Sequence, residues 1–471
     1  MDNLYRSSDD KVIAGVCAGI ARRFSLMLRN ECCTGNWLTK SKRRMRMMKK
    51  SNRMALCANA ALVFWMISMT CYVGNGAVEP GPRLGAERKA SVGNRPSWRQ
   101  GDFAGKLYRQ MAKGNENLAF SPYGVASVCA LVGTGAKGET FEAFKNALEF
   151  PTDNLDEMAR IFRETKQKIG NAVEISDSVW LFKGFSPLDE FRSRAVNGFL
   201  AEARNTSPES AKDEINAYVS DKTHGKIPSL LVNPPDSNTC MMAVNTIYLN
   251  AKWAQKFDKN LTEEREFKTL SGERLIVPFM CRTLHTYYLC ENQFSAVSLP
   301  YANSTLEMLF ILPGENVALR QIEEMLSGSF INRVIGIFRA IDMYNVRVII
   351  PRFEFEMRHD LVTPLREMGL GVAFSPAADF SGLAKVKPDE RIYISNAEQM
   401  VKIKVDEEGT EAAAATRFVQ ENVTVSVPPT FFADHPFIFV LRDRASGAIL
   451  FMGRVMKPAS PKGNVHRSDL I

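Results

Sequence analysis

Thr410 and Thr416 bracket Glu411 and four alanines, Ala412, Ala413, Ala414 and Ala415, and this run of small side chains constrains the fold more than any other stretch. Glu407, Glu408 and Gly409 precede it, and a polar, valine-studded segment follows as far as Pro428-Pro429. Ala and Glu are strong helix formers, so the letters suit a solvated helix opening at Gly409-Thr410. They also suit a strand, because such small side chains pass easily between neighbours that alternate faces. Local pattern alone leaves both open.

The residues beyond the loop tip the balance. Asp434-His435-Pro436 leads into Phe437-Ile438-Phe439-Val440-Leu441, and Gly447-Ala448 into Ile449-Leu450-Phe451-Met452-Gly453-Arg454-Val455, two apolar strand-like runs. A hinge, a variable loop and a pair of apolar strands resemble the C-terminal end of a serpin, a serine-protease inhibitor whose exposed loop is the bait. Upstream, Asn117-Leu118-Ala119-Phe120-Ser121-Pro122-Tyr123-Gly124 resembles the opening of the family's helix B. Ile215-Asn216 with Thr223-His224-Gly225-Lys226-Ile227 resembles its helix F. Val244-Asn245-Thr246-Ile247-Tyr248-Leu249, followed by Lys252-Trp253, resembles the central strand leading to the breach tryptophan, and Pro351-Arg352-Phe353-Glu354 a late strand motif. The likeness covers residues 98–458. Its wording at Ser121 to Ser127 and at Val401-Lys402-Ile403-Lys404-Val405 is nearest the plasminogen-activator-inhibitor and nexin branch.

The resemblance implies an α+β serpin-like fold with a helical N-terminal part, a large central mixed β-sheet and an exposed reactive loop. It implies an inhibitor and not an enzyme, with no cofactor. The family's native state is kinetically trapped, its five-stranded central sheet able to accept a sixth strand. A target protease cuts the bait and forms an acyl-enzyme on its own serine, and the freed hinge then inserts. Thr410, Ala412, Ala414 and Thr416 would face the core of that strand. Glu407, Gly409, Ala413 and Ala415 complete the hinge. Loop length counted from Gly409 puts the scissile bond at Val423-Thr424, and counting back from Pro428-Pro429 puts it at Val425-Ser426. Either bond offers a valine, which suits a shallow elastase-like pocket and gives a trypsin-like aspartate nothing to pair with. Arg417 lies too near the hinge to be the bait. The plasminogen-activator-inhibitor branch uses arginine there, so this chain departs from it.

In the family's polar shutter Ser121 and Asn245 match, while Gln399 stands where most members carry histidine and Gly124 where many carry serine. Trp253 is the breach residue. The two departures are read as altered latency rather than lost function. On the amphipathic stretch 155–169, Arg160, Arg163, Lys166 and Lys168 are interleaved with Glu157 and Glu164. They are either a solvated face or a heparin-binding edge. The rival to an inhibitor is a non-inhibitory serpin acting as carrier, chaperone or storage protein, and the small hinge favours the inhibitor.

A formal charge of +8 would suggest an anionic partner, so its location matters. Residues 1–77 hold 13 Lys/Arg against 4 Asp/Glu, and the rest of the chain carries a net −1. A near-neutral body argues against nucleic acid, and the chain is read as a monomer that meets a serine protease. The basic excess, including Lys40, Lys42, Arg43, Arg44, Arg46, Lys49, Lys50 and Arg53, directly precedes an apolar run over 55–73, with Gly74, Gly76 and Ala77 after it. This order is that of an export signal over 54–77, with Met54 as a candidate start and 1–53 a basic extension. A signal anchor is the competing reading, since a run of 19 residues can span a bilayer, while Asn59, Ser68 and Thr70 within it favour cleavage. Residues 4–24 faintly resemble the opening of a bacterial phage-shock domain and are read as coincidence or a gene-model join. Residues 78–97 read as a flexible lead-in and 459–471 as a flexible tail.

Of nine cysteines, four lie beyond the signal: Cys129 among apolar neighbours, Cys240, and Cys281 and Cys290, which could pair across a hairpin. Neither they nor the scattered His224, His285, His359, His435 and His466 have metal-ligand spacing. Sequons stand at Asn205, Asn260, Asn303 and Asn422, the last beside the expected bond. Gly133-Thr134-Gly135-Ala136-Lys137-Gly138-Glu139-Thr140 superficially resembles a phosphate loop, but Glu139 occupies the lysine position, so the start of a helix is expected. Apolar spacing predicts helices over 98–113, from Ser121-Pro122, over 140–148 and over 155–169. Strands are predicted over 173–182, 241–249, 296–299, 306–312 and 346–350.

Overall fold

The computed structural model describes residues 100–150, 152–387, 389–409 and 427–458. The chain divides into two units, 1–92 and 93–471, and every described element belongs to the second. The export signal, hinge residues Thr410 to Thr416, both proposed reactive bonds, Asn422 and the tail lie outside the described residues.

The helices cluster early. Apolar spacing predicts α1 (Gln100–Met111), α2 (Pro122–Gly133), α3 (Gly138–Leu148) and α4 (Leu155–Ile169), and the structure adds α5 (Asp189–Arg194) and α6 (Pro208–Lys222). α7 (Leu319–Met325), α8 (Gly328–Ala340) and α9 (Val362–Leu365) follow. Ser121 caps α2 by accepting from the Gly124 amide at 2.9 Å, and Pro122 occupies the first turn, where its missing N–H costs nothing. Asn154 caps α4, with Asp156 and Glu157 at its positive end and Lys166 and Lys168 at its negative end. The phosphate-loop lookalike ends in α3, where Thr140 is buried and accepts from the Asp379 amide.

Fourteen described strands complete the fold: β1 (Leu118–Phe120), β2 (Val173–Leu181), β3 (Glu202–Asn205), β4 (Met241–Leu249), β5 (Glu263–Lys268), β6 (Arg274–Cys290) and β7 (Phe294–Pro300). The rest are β8 (Leu306–Pro313), β9 (Tyr344–Pro351), β10 (Phe353–Asp360), β11 (Ile394–Val405), β12 (Thr430–Phe432), β13 (Phe437–Asp443) and β14 (Ile449–Val455). β13 and β14, the two apolar runs after the loop, pair antiparallel in a nine-stranded sheet ordered β1-β14-β13-β8-β7-β6-β9-β12, with β5 on β6. The second sheet has five strands in the order β10-β11-β4-β2-β3, and it is mixed. β11 runs parallel to β4, whereas β10/β11 and β2/β4 are antiparallel.

Alternation sets the faces of the five-stranded sheet. Met242 and Val244 of β4 and Met400 of β11 share one apolar cluster with Trp180 of β2 and Ile215, Tyr218 and Val219 of α6, and Tyr218 bonds Ser176 of β2. Met241, Ala243, Ile247, Ala397, Val401 and Ile403 point to the main core on the other side. On that face Asp177, Asn245 and Gln399 take positions that the period of two reserves for apolar residues.

Cys281 and Cys290 lie nine positions apart on the single strand β6, about 30 Å at strand rise, so they do not oppose each other. Both are free thiols, and the cross-hairpin pairing is corrected accordingly. Cys129 is buried as expected, and burial with Asp177 nearby pushes its thiol up to about 12.

Candidate functional site: the strand seam and its hinge

Two parallel neighbours, β11 and β4, share eight register pairs from Ile394/Met241 to Lys402/Tyr248. Both run toward the same end, where β11 passes into the hinge and β4 into Trp253. A strand entering between them from that end would be antiparallel to both, the more favourable ladder, and would reach its place through a short hairpin from β11.

The hairpin has already begun. Asp406 and Gly409 face each other across an antiparallel bridge, each amide donating to the other's carbonyl at 3.3 Å, and Gly409 also bridges Lys252 beyond β4. Gly409 has φ +113°, and a Cβ there would lie 2.5 Å from the Trp253 nitrogen and 2.6 Å from the Ala251 oxygen. Only glycine fits a backbone threaded that closely. The Trp253 indole is buried, stacks on Tyr301 at 4.3 Å and donates to the Asp406 carbonyl at 2.8 Å. The Trp253 amide donates to the Glu408 carbonyl at 3.1 Å and the Phe257 amide to that of Glu407 at 2.9 Å.

Charge holds this turn. Glu407 is 1% exposed and accepts from Arg352 Nε at 2.8 Å and Nη2 at 2.5 Å, and from the Thr262 hydroxyl. Burial alone would raise its carboxyl, but these hydrogen bonds outweigh it and hold the group below its ordinary value. Glu408 pairs with Lys256 at 2.7 Å and Lys259 at 3.2 Å, and those bonds depress it too.

Midway down the seam is the shutter. Gln399 clasps the backbone of Ser121, its Oε1 accepting from the amide at 2.8 Å and its Nε2 donating to the carbonyl at 3.1 Å. The same Nε2 donates to Asn245 Oδ1 at 2.7 Å across the seam, and Asn245 Nδ2 donates to Asp177 Oδ1 at 2.7 Å. Asp177 Oδ2 accepts from Ser127 Oγ at 2.5 Å and from Lys166 Nζ at 2.6 Å. A Cβ at Gly124 would lie 2.2 Å from Asn245 Oδ1, so the glycine is the condition for this amide arrangement. His359, opposite Gln399 in the β10/β11 register, bonds the Ala119 carbonyl at 2.7 Å, and burial lowers its pKa despite that bond.

The structure thus brings Ser121, Asn245 and Gln399 together, sets Trp253, Glu407 and Gly409 at the mouth of the same seam, and corrects one assignment. Lys166 was grouped with the heparin-contact cations, yet it is 9% exposed and turned inward, donating to Asp177 and to the Phe199 carbonyl at 2.8 Å. It sits on the apolar stripe Met158, Phe162, Lys166, which helical spacing of four would have revealed. Arg160 is half-buried between Glu157 and Glu164, Arg163 bonds the Asn197 carbonyl, and Lys168 is exposed. Asn205, Asn260 and Asn303 are exposed. Among the described residues no group of three His, Cys, Asp or Glu is placed to hold a metal ion.

Sequence reading missed Asp177, Lys166, Ser127, Arg352 and Thr262 as parts of the site. The signal for Asp177 was a carboxylate at a core-facing strand position; Arg352 and Thr262 gave none, being brought to Glu407 by tertiary packing alone.

Comparison with known proteins fits this geometry. A family model described as PspC domain matches residues 2–28, so the coincidence reading of the N-terminal likeness is set aside. The leukocyte elastase inhibitor of Bos taurus is 32% identical over 371 residues, covering 76% of this chain and 97% of that protein. Native protease nexin-1 solved with heparin superposes with TM-score 0.68 at 27% identity, covering 76% of this chain and 98% of that one. Thyroxine-binding globulin in complex with thyroxine gives TM-score 0.66 at 27% identity, covering 77% and 98%. The model for serpin (serine protease inhibitor) matches residues 99–458, and with the five-stranded sheet, its seam and the hinge at Glu407 to Gly409, the chain belongs to the serpin family.

Proposed function

We propose that the protein is a secreted suicide-substrate inhibitor of a serine protease with an elastase-like specificity pocket. The observation that carries this reading is the hinge turn, already folded back at Asp406 to Gly409 above a parallel seam that an antiparallel strand fits. Small residues at Thr410, Ala412, Ala414 and Thr416 would follow Gly409 in without a bulky group to stall them. The protease cleaves Val423-Thr424 or Val425-Ser426, the acyl-enzyme forms, and insertion carries the tethered enzyme away before water releases it. The valine at either bond supports a shallow pocket, in keeping with the relative that is an elastase inhibitor. The basic, apolar and small-residue order of 40–77 supports export. Arg160, Arg163 and Lys168, without Lys166, are the cations of α4 offered to a glycosaminoglycan, and the heparin-bound nexin structure motivates that partner.

The test is incubation with a panel of serine proteases followed by denaturing gels. A stable band at the summed mass is expected with an elastase-like enzyme; a clipped band alone across the panel would overturn inhibition.

A non-inhibitory carrier is the second reading. It is favoured by a cavity of about 1290 Å³ lined by Arg192, Val196, Leu200, Arg204, Tyr218 and Lys222, and by the thyroxine-bound globulin among the similar structures. A carrier would give the clipped band and a saturable small-molecule complex.

A further inference from the structure

Insertion requires the seam to open by about one strand spacing, ~4.8 Å. β2 and β4 share nine antiparallel register pairs, so they part from β11 as a unit. Three side-chain bonds tie that unit to β11, α2 and α4 at the shutter: Gln399 to Asn245 at 2.7 Å, Ser127 to Asp177 at 2.5 Å and Lys166 to Asp177 at 2.6 Å; on the other face Tyr218 of α6 bonds Ser176 Oγ at 2.6 Å and the Asp177 carbonyl at 3.0 Å. The first two have a neutral donor, while the third joins opposite charges that are both buried, with side chains 6% and 0% exposed. The ammonium is held from behind by the Phe199 carbonyl at 2.8 Å, and its helix α4 is anchored in the core by Met158, Phe162 and Ile169. A displacement of ~4.8 Å exceeds the reach of any hydrogen bond, so the pair breaks or α4 is dragged along. Breaking a buried pair is costly because each charge is left without its partner.

We propose that Lys166 is a positioning residue for loop insertion: the Lys166–Asp177 pair is a latch between α4 and the β2/β4 unit that keeps the seam closed until the hinge drives it apart. This rests on the insertion mechanism proposed above, and it assigns the timing of that step to a pair lying well away from the hinge in sequence. A buried ion pair is a poor source of net stability compared with apolar packing, yet it fixes one geometry against others. The latch therefore acts on the rate of opening and not on the final six-stranded state.

The test uses the full chain with Lys166→Met, Asp177→Asn and both together. A synthetic peptide with the sequence of residues 410–424 is added to the intact protein, and the rate at which heat resistance appears is followed. The unfolding midpoint of the protease-nicked form is measured beside it. The double variant is expected to take up peptide about tenfold faster than the unaltered chain, equivalent to about 1.4 kcal/mol of barrier, with the nicked midpoint unchanged. The effect of Lys166→Met should vanish in the Asp177→Asn background, the signature of a coupled pair. Either single variant leaves one buried charge alone and can fail to fold; the double variant removes both charges and decides the question. An unchanged uptake rate, or a rate change matched by an equal shift of the nicked form, overturns the latch. An unaltered chain that gains no heat resistance from peptide or nicking overturns the insertion mechanism itself.

Discussion

The mouth of the seam and its middle are held by opposite means. At the mouth, Glu407 and Glu408 are gripped by Arg352, Lys256 and Lys259, whose charged ends stay partly in water. In the middle, Ser121, Asn245 and Gln399 are fully buried and exchange neutral amide bonds, with charge confined to the Lys166–Asp177 pair. Water already reaches the cations of this grip and the partly exposed Glu408, while Glu407 is buried, so under the proposed insertion the mouth would open at a smaller cost than the middle. Nothing replaces a buried amide network while it is half open, so under the proposed insertion the middle would set the barrier. The difference between the two regions is that charge at the mouth stays in reach of water, whereas the middle is closed to it.

The largest effect should come from breaking the middle. Asn245→Ala strands Asp177 and Gln399 without a shared partner and should destabilise the intact protein by about 3 kcal/mol, read as a fall in its heat-unfolding midpoint. Gly124→Ser sharpens the same point by volume. Its Cβ would meet Asn245 Oδ1 at 2.2 Å, so overpacking should cost about 2 kcal/mol, with Gly124→Ser/Asn245→Ala less than additive.

At the mouth, Lys256→Met should cost the intact protein about 1 kcal/mol, because Lys256 and its partner Glu408 are both partly solvated, while measurably speeding peptide uptake. An equal loss at mouth and middle would break the comparison. Acid gives an independent handle on the mouth. The carboxyl of Glu407 is depressed in the folded state, so its contribution is complete above the ordinary value of 4.5 and is lost as pH falls through the lower folded value. Intact protein should therefore lose hinge protection to a non-target protease below that range, and Glu407→Gln should flatten this dependence. The smallest effect concerns α4. Elution from a heparin column should move to lower salt in Arg163→Ala/Lys168→Ala and stay put in Lys166→Met/Asp177→Asn, which removes an ammonium that faces inward together with its partner.

Much of this was legible in the letters, for identifiable reasons. Ser121-Pro122 announced α2 because capping and a first-turn proline are local chemistry, α4 showed its helical period directly, and β13 stood out as a continuous apolar run. The hinge at Glu407 to Gly409 was recognised by its composition, and Asn245 and Gln399 by their neighbours. Lys166 and Cys281 were misread for the same reason: charge and spacing were weighed without asking which face, or which strand, each residue occupies.

What the sequence determined alone is whatever depends on near neighbours: which segments are helix or strand, that the residues after Gly409 are small, that the body is nearly neutral. Tertiary structure decided which distant residues meet. Asp177, Asn245 and Gln399 are brought within hydrogen-bond reach by strand order and register, and Arg352 reaches Glu407 only because β10 pairs with β11, with Phe353 opposite Val405. A hydrogen bond is lost over a fraction of a strand spacing, so such partners are set by packing and not by the letters either side of them.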